Sequence, residues 1–188
     1  ILLFRKNYDH HLILKMSDDG ISEAEVFLKK FFKKNEGNYF ICDKREGKMA
    51  ELNRFAAAGA AVRYKKLFSK KVEDVLALDF SLPRNEISWF EKLPENFSKN
   101  FLFKLYYGHF FCHVMHQDYI TKKGTDTEKL KEELLKILDS RGAEYPAEHN
   151  VGHIYFAKES LSNFYKKIDP TNSMNPGLGK MSKNKYYK

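Results

Sequence analysis

Three of the seven histidines, His109, His113 and His116, fall within one aromatic run, YGHFFCHVMHQDY (Tyr107 to Tyr119). Imidazole titrates near neutral pH and is the commonest metal ligand, so the run offers proton transfer or metal ligation; hydrogen bonding within a core is the plainer alternative. On a helix the i, i+4, i+7 spacing puts all three rings on one face. The aromatic and aliphatic residues between them favour extended chain instead. In an ideal strand His109 and His113 share a face and His116 takes the other, so convergence needs a bend.

A second place is PAEHNVGH (Pro146 to His153), where Glu148 and His149 are adjacent and a Gly turn follows. A carboxylate beside an imidazole can supply a ligand and a general base in one small space. The third is DPTNSMNPGLGK (Asp169 to Lys180), whose Asn-Pro-Gly turn can aim backbone N–H groups at a ligand's oxygens or simply close a surface loop.

The elements that must position these residues follow from periodicity and turn chemistry. HLILKMS (His11 to Ser17) and NYFIC (Asn38 to Cys42) have the short apolar character of strands, with a helix between them over Ile21 to Lys34. An Ala-rich helix is expected from Lys44 to Tyr64, a strand from Val72 until Pro83 stops it, and a short helix around NEISWFEKL. Phe101 to Ile120 is one long strand or two with a bend. TDTEKLKEELLKILDSRG is the clearest helix: Thr125 or Asp126 caps it, Leu130, Leu134, Leu135 and Leu138 form its face, and Gly142 ends it. A strand or turn near Tyr145, a helix over AKESLSNFYKKI and an irregular tail complete the chain. The expected fold class is α+β, an antiparallel sheet with helices packed on one face.

The chain has 188 residues, 43% hydrophobic and 31% charged, with 16 Phe and 11 Tyr, which suits an aromatic-rich globular core rather than disorder. Cys42 and Cys112 are too few for a disulfide framework and suggest a reducing compartment. No apolar run approaches the roughly 20 residues that cross a bilayer, and no signal peptide is recognisable. The start, without Met and already apolar, suggests the C-terminal piece of something longer. The net charge of +8 is clustered in LKKFFKKN, RYKKLFSKK and KMSKNKYYK, which attracts phosphate in nucleic acid, lipid or a cofactor, or forms a solvated face.

Taken together, HHLILKMS, RFAAAGAAVRY, KLYYGHFFCHVMHQDY, YPAEHNVGH and DPTNSMNPGLGK closely resemble the C-terminal part of the respiratory, quinone-dependent D-lactate dehydrogenases of bacteria, FAD enzymes of the vanillyl-alcohol oxidase superfamily. The resemblance covers essentially the whole chain. It implies a peripheral enzyme on the cytoplasmic face of the inner membrane, with D-lactate and quinone as partners and an anionic lipid surface beneath it. It also implies an N-terminal FAD domain that is missing here. Residues 1–43 and 72–143 would then be cap-domain parts, 44–71 a basic membrane-binding segment, and 144–188 the return to the FAD-binding domain.

The same resemblance implies His149 as base and Glu148 as its neighbouring ligand or orienter. His109 and His116 would line the substrate pocket, and with Glu148 they match a divalent-metal set in relatives. Those relatives carry Gly-Asp-Gly between the two histidines, where this chain has Phe111, Cys112 and His113, so a metal-free polar pocket and a divalent site both stay open. Arg54 matches an arginine that grips a substrate carboxylate, with a surface ion pair as its alternative. Asn175 and Gly177 match a turn that lies against the flavin, though this chain alone is expected to be inactive. The rival readings are a basic nucleic-acid-binding module, for which no recognition helix, aromatic RNP strand pair or finger spacing is present, and a metal-dependent hydrolase built on His109, His116 and Glu148.

Overall fold

In the computed structural model, residues 6–147 and 155–188 are described. Glu148 and His149 lie outside these described residues. The chain divides into two compact units, one ending at Ala58 and the other running from Gly59 to Lys188.

The first unit holds helix α1 (Asp19–Phe31) and the beginning of helix α2 (Lys44–Leu67), whose remainder belongs to the second unit. Charge placement suits α1, with Asp19 in its first turn and Lys29 and Lys30 in its last, opposite in sign to the helix dipole at each end. Helix α2 starts in a reciprocal cap. Asp43 Oδ1 accepts the N–H groups of Arg45 and Glu46 at 2.7 and 2.8 Å, while Glu46 Oε2 accepts the Asp43 N–H at 3.0 Å.

The two strands expected in this unit are not formed; His11 to Ser17 and Asn38 to Cys42 are irregular. An apolar run becomes a strand only when a neighbouring strand shares its N–H and C=O groups, and among the described residues neither run is paired in a sheet. Leu12, Ile13 and Ile41 remain exposed, and Tyr39 stacks instead on Phe32.

The second unit is built on a three-stranded antiparallel sheet in the order β1-β3-β2, comprising β1 (Val72–Ser81), β2 (Phe101–His109) and β3 (Val114–Lys122). Residues opposite each other in register share a face. One face carries Leu76, Leu78 and Phe80 of β1 with Met115 and Tyr119 of β3. Leu130, Leu134 and Leu138 of helix α4 (Thr127–Ser140) close over it as the main core. Asp126 caps α4 by accepting the Lys129 N–H, and Gly142, at φ 68°, turns the chain beyond its end.

This face also holds polar groups. The Tyr106 phenol donates to buried Glu91 at 2.9 Å, and that of Tyr119 donates to buried Gln117. Burial and the Glu91 charge push both phenols well above the ordinary tyrosine range.

The opposite face is covered at one end by α2. Ala61 and Tyr64 pack there against Val75, Leu105 and Ile120, and Lys65 pairs with Asp74 at 2.6 Å. The sheet thus has a cover on each face, α4 on one and the last turns of α2 on part of the other.

NEISWFEKL, expected as a helix, is irregular. Trp89 and Leu93 are drawn onto the core and Trp89 meets Tyr106 edge to face, so packing overrides a weak helical pattern. Only a single turn, α3 (Glu95–Ser98), follows Pro94. Helix α5 (Glu159–Ile168) and a tail with 3₁₀ turns at Leu178–Lys180 and Lys185–Tyr187 end the chain.

Candidate functional site

The strand expected over Phe101 to Ile120 is two strands joined by a hairpin. A 3₁₀ turn, Phe110–Cys112, reverses the chain, and His113 completes the reversal in the left-handed region at φ 57°. The tight turn therefore forms on Phe110, Phe111, Cys112 and His113, with no glycine between His109 and His116. His113 Nδ1 lies 3.4 Å from the Leu82 carbonyl, which ties the turn to the end of β1.

Folding back at this point puts His109 and His116 on the same face of adjacent strands. Their rings meet edge to face, 5.4 Å between centroids. The register places Asp79, His116 and Tyr107 in one row across β1, β3 and β2, with Asp118 in the next row beside Leu105. Tyr107 stacks on His116, with centroids 5.1 Å apart and planes 24° apart, and its phenol donates to Asp118 Oδ2 at 3.3 Å.

Asp79, His116 and Asp118 are all buried, at 3%, 8% and 5% exposure. Loss of solvent raises the Asp118 carboxyl above its usual range, partly offset by the Tyr107 hydrogen bond. Burial, with the charges of Asp118 and Asp79, pushes the Tyr107 phenol up to about 12. One half of this face is thus apolar under α2, and the other is a patch of imidazole, phenol and carboxylate suited to binding and orienting a small polar substrate.

Asp79, Tyr107 and Asp118 were not singled out in the sequence, although the i, i+2 spacing of Tyr107 with His109 and of His116 with Asp118 is the strand signature of a shared face. Which carboxylate lies beside which ring depends on the hairpin register, and no single strand contains it.

The described residues that precede Glu148 and His149 are tied to the end of β1. Glu144 forms a two-bond bridge with Ser81 at the end of β1, and the Ala147 N–H donates to the Asp79 carbonyl at 3.3 Å. On the far side Tyr155 is buried, its phenol raised first by burial and then by the charge of Asp79. Among the described residues no group of three or more His, Cys, Asp and Glu is disposed to hold a metal ion. The described part of the set His109, His116 and Glu148 is the histidine pair.

Arg54 belongs to the first unit, where it is exposed with its guanidinium 5.7 Å from the Phe55 ring centroid. Asn175 and Pro176 are exposed at the crest of their turn. Gly177 sits at φ 84°, donates its N–H to the Ser182 carbonyl, and leaves a Cβ only 2.9 Å from Lys183 Cγ. The Gly177 N–H is therefore used within the turn itself, and Asn175 and Pro176 are its exposed residues.

Comparison with known families gives a match over residues 1–187 to the family described as D-lactate dehydrogenase, membrane binding. The chain belongs to this family. Three of its relatives are each named quinone-dependent D-lactate dehydrogenase. That of Escherichia coli (strain K12) is 57% identical over 182 residues, 97% of this chain and 32% of the relative. That of Haemophilus influenzae is 54% identical over 185 residues, 98% of this chain and 33% of the relative, and that of Corynebacterium glutamicum is 45% identical over 184 residues, 97% and 32%. The chain thus spans about a third of the length of these relatives. No helix among the described residues is long and apolar enough to cross a membrane.

Proposed function

We propose that this chain is part of a peripheral membrane flavoenzyme that oxidises D-lactate to pyruvate and passes the electrons to quinone. The observation that carries the reading is 45% to 57% identity to three quinone-dependent D-lactate dehydrogenases, sustained over 97% to 98% of the chain. The histidine-bearing half-face supports it, because oxidation of a 2-hydroxy acid needs polar groups that fix the substrate and a base near neutral pKa.

His109 and His116 bind the substrate's oxygen atoms in this reading, and His149 takes the hydroxyl proton with Glu148 orienting it. Glu148 and His149 are the next two residues after Ala147, which is hydrogen-bonded to Asp79 in the row that contains His116. Arg54 is the candidate grip for the carboxylate, a fork-shaped cation that matches its two oxygens. FAD, when bound, supplies the acceptor for the α-hydrogen; from this chain the turn of Asn175 and Gly177 would lie against it. In this reading the rest of the FAD domain is a part of the whole protein that this chain does not span. Residues 1–43 and 72–143 act as cap parts and 144–188 as the return to that domain.

Residues 44–71 attach the protein to anionic lipid on the cytoplasmic face of the inner membrane. Helix α1 adds exposed Phe27 and Phe31 beside Lys29 and Lys30, an apolar and basic mixture that suits a headgroup layer.

The test is the visible flavin spectrum of the full-length protein, followed on adding D-lactate without oxygen. Bleaching by D-lactate and not by L-lactate, slowed strongly in H149A, is expected; a protein with no flavin overturns the reading. Metal analysis of the same sample separates direct binding of substrate by His109 and His116 from binding through a divalent ion. A stoichiometric metal lost from H109A and H116A assigns the ion.

A further inference from the structure

Nothing in the family's description or in the relatives' names gives a task to the side chain opposite His116. The imidazole of His116 is stacked against Tyr107 and stands nearly perpendicular to the ring of His109. A ring in van der Waals contact on one side still slides unless its neighbour is itself fixed. Tyr107 is fixed at both ends. Its backbone is paired with His116 in the β2–β3 register, and its phenol is held by Asp118, one row along the same face. Asp118 is buried and carried by a central strand that is paired on both sides, so it makes a rigid anchor.

We infer that Tyr107 is a positioning residue: its ring sets the plane of the His116 imidazole, and Asp118 holds that ring in place through the phenol. Such a support acts through the ligand it orients, and loss of comparable partners costs about 10- to 100-fold in activity. The inference rests on the reading of His116 as a substrate ligand, and its test separates the two.

The kinetic arm uses the full-length protein and the rate of flavin bleaching by D-lactate. Y107L should lower this rate about tenfold in the otherwise unaltered protein and have no further effect when His116 is already replaced in H116Q. Y107F, which keeps the ring and loses the anchor, should fall between Y107L and the unaltered protein. An equal loss from Y107L in both backgrounds, or no loss in either, overturns the inference.

The second arm needs no turnover and therefore stands even if the functional reading fails. With histidine labelled by ¹³C, the ring protons of His116, assigned through H116Q, should resonate upfield because they lie in the ring current of Tyr107. The shift should survive in D118N, shrink in D118A and vanish in Y107L. An unmoved His116 signal in Y107L shows that Tyr107 does not set that ring, whatever the substrate is.

Discussion

His109 and His116 are seven positions apart in sequence, yet their rings meet edge to face at 5.4 Å because the chain reverses between them at Phe110–Cys112. If both hold one substrate, they act as a unit. H109A and H116A in the full-length protein should each lower kcat/KM for D-lactate by about 10- to 100-fold, and the double variant should lose much less than the product of the two. Anaerobic stopped-flow bleaching of the flavin measures all three; rates unchanged in both single variants would remove the pair from the site.

Gly108 makes that hairpin possible on its other side. A Cβ there would lie 2.6 Å from the Val114 carbonyl oxygen and 3.1 Å from Met115 Sδ, facing backbone that cannot yield cheaply. G108A should destabilise the second unit by about 1–3 kcal/mol through overpacking. Thermal unfolding checks this, and an unaltered Tm would mean that β2 and β3 can separate locally at no cost.

The core face gives a graded comparison on one helix. Leu134 is 1% exposed against β1 and β3, so L134A should cost about 2–5 kcal/mol through lost transfer energy and the cavity left behind. Asp126 caps the exposed start of the same helix, and D126A should cost about 0.5–2 kcal/mol. Urea unfolding should rank them in that order, and the reverse order would mean that capping outweighs the leucine contacts.

The same helix shows what the sequence makes legible. Leu130, Leu134 and Leu138 repeat at helical spacing and Asp126 and Gly142 mark the ends, so every determinant of α4 is local. The hairpin was half legible: the aromatic run of Phe101 to Ile120 signals extended chain, but nothing local says that Phe111, Cys112 and His113 can make the reversal. His11 to Ser17 and Asn38 to Cys42 read as strands because apolar character is local while a strand's partner is not. The association of Tyr107 with Asp118 was hidden for the same reason, since it depends on the register of two strands.

Asp169 gives a dependence on pH with a definite sign. Its Oδ2 accepts the Met174 N–H at 2.8 Å, and such backbone donors hold the carboxyl below its usual range. A carboxylate whose pKa is lower in the folded state adds stability that is full above its unfolded value, about 3.9, and lost as pH falls through the folded one. Protection of the Met174 amide from hydrogen exchange should therefore weaken below about pH 4. In D169N it should be lower at neutral pH and insensitive to acid; equal protection in both proteins at pH 7 would show that another group holds the turn.

Attachment to lipid should be governed by charge on the last turns of α2 and beyond. Lys66 and Lys70 are exposed, and each cation near an anionic leaflet contributes about 1 kcal/mol, falling within a Debye length of about 8 Å at physiological salt. The K66Q/K70Q variant of the full-length protein should bind anionic vesicles about 30-fold more weakly at low salt, a loss of roughly 2 kcal/mol. The gap between variant and unaltered protein should close as salt rises, because screening removes the same interaction that the substitutions remove. Sedimentation with vesicles of phosphatidylglycerol and of phosphatidylcholine measures this; equal binding to both lipids at low and high salt would place the attachment on the apolar residues of α1, Phe27 and Phe31, instead.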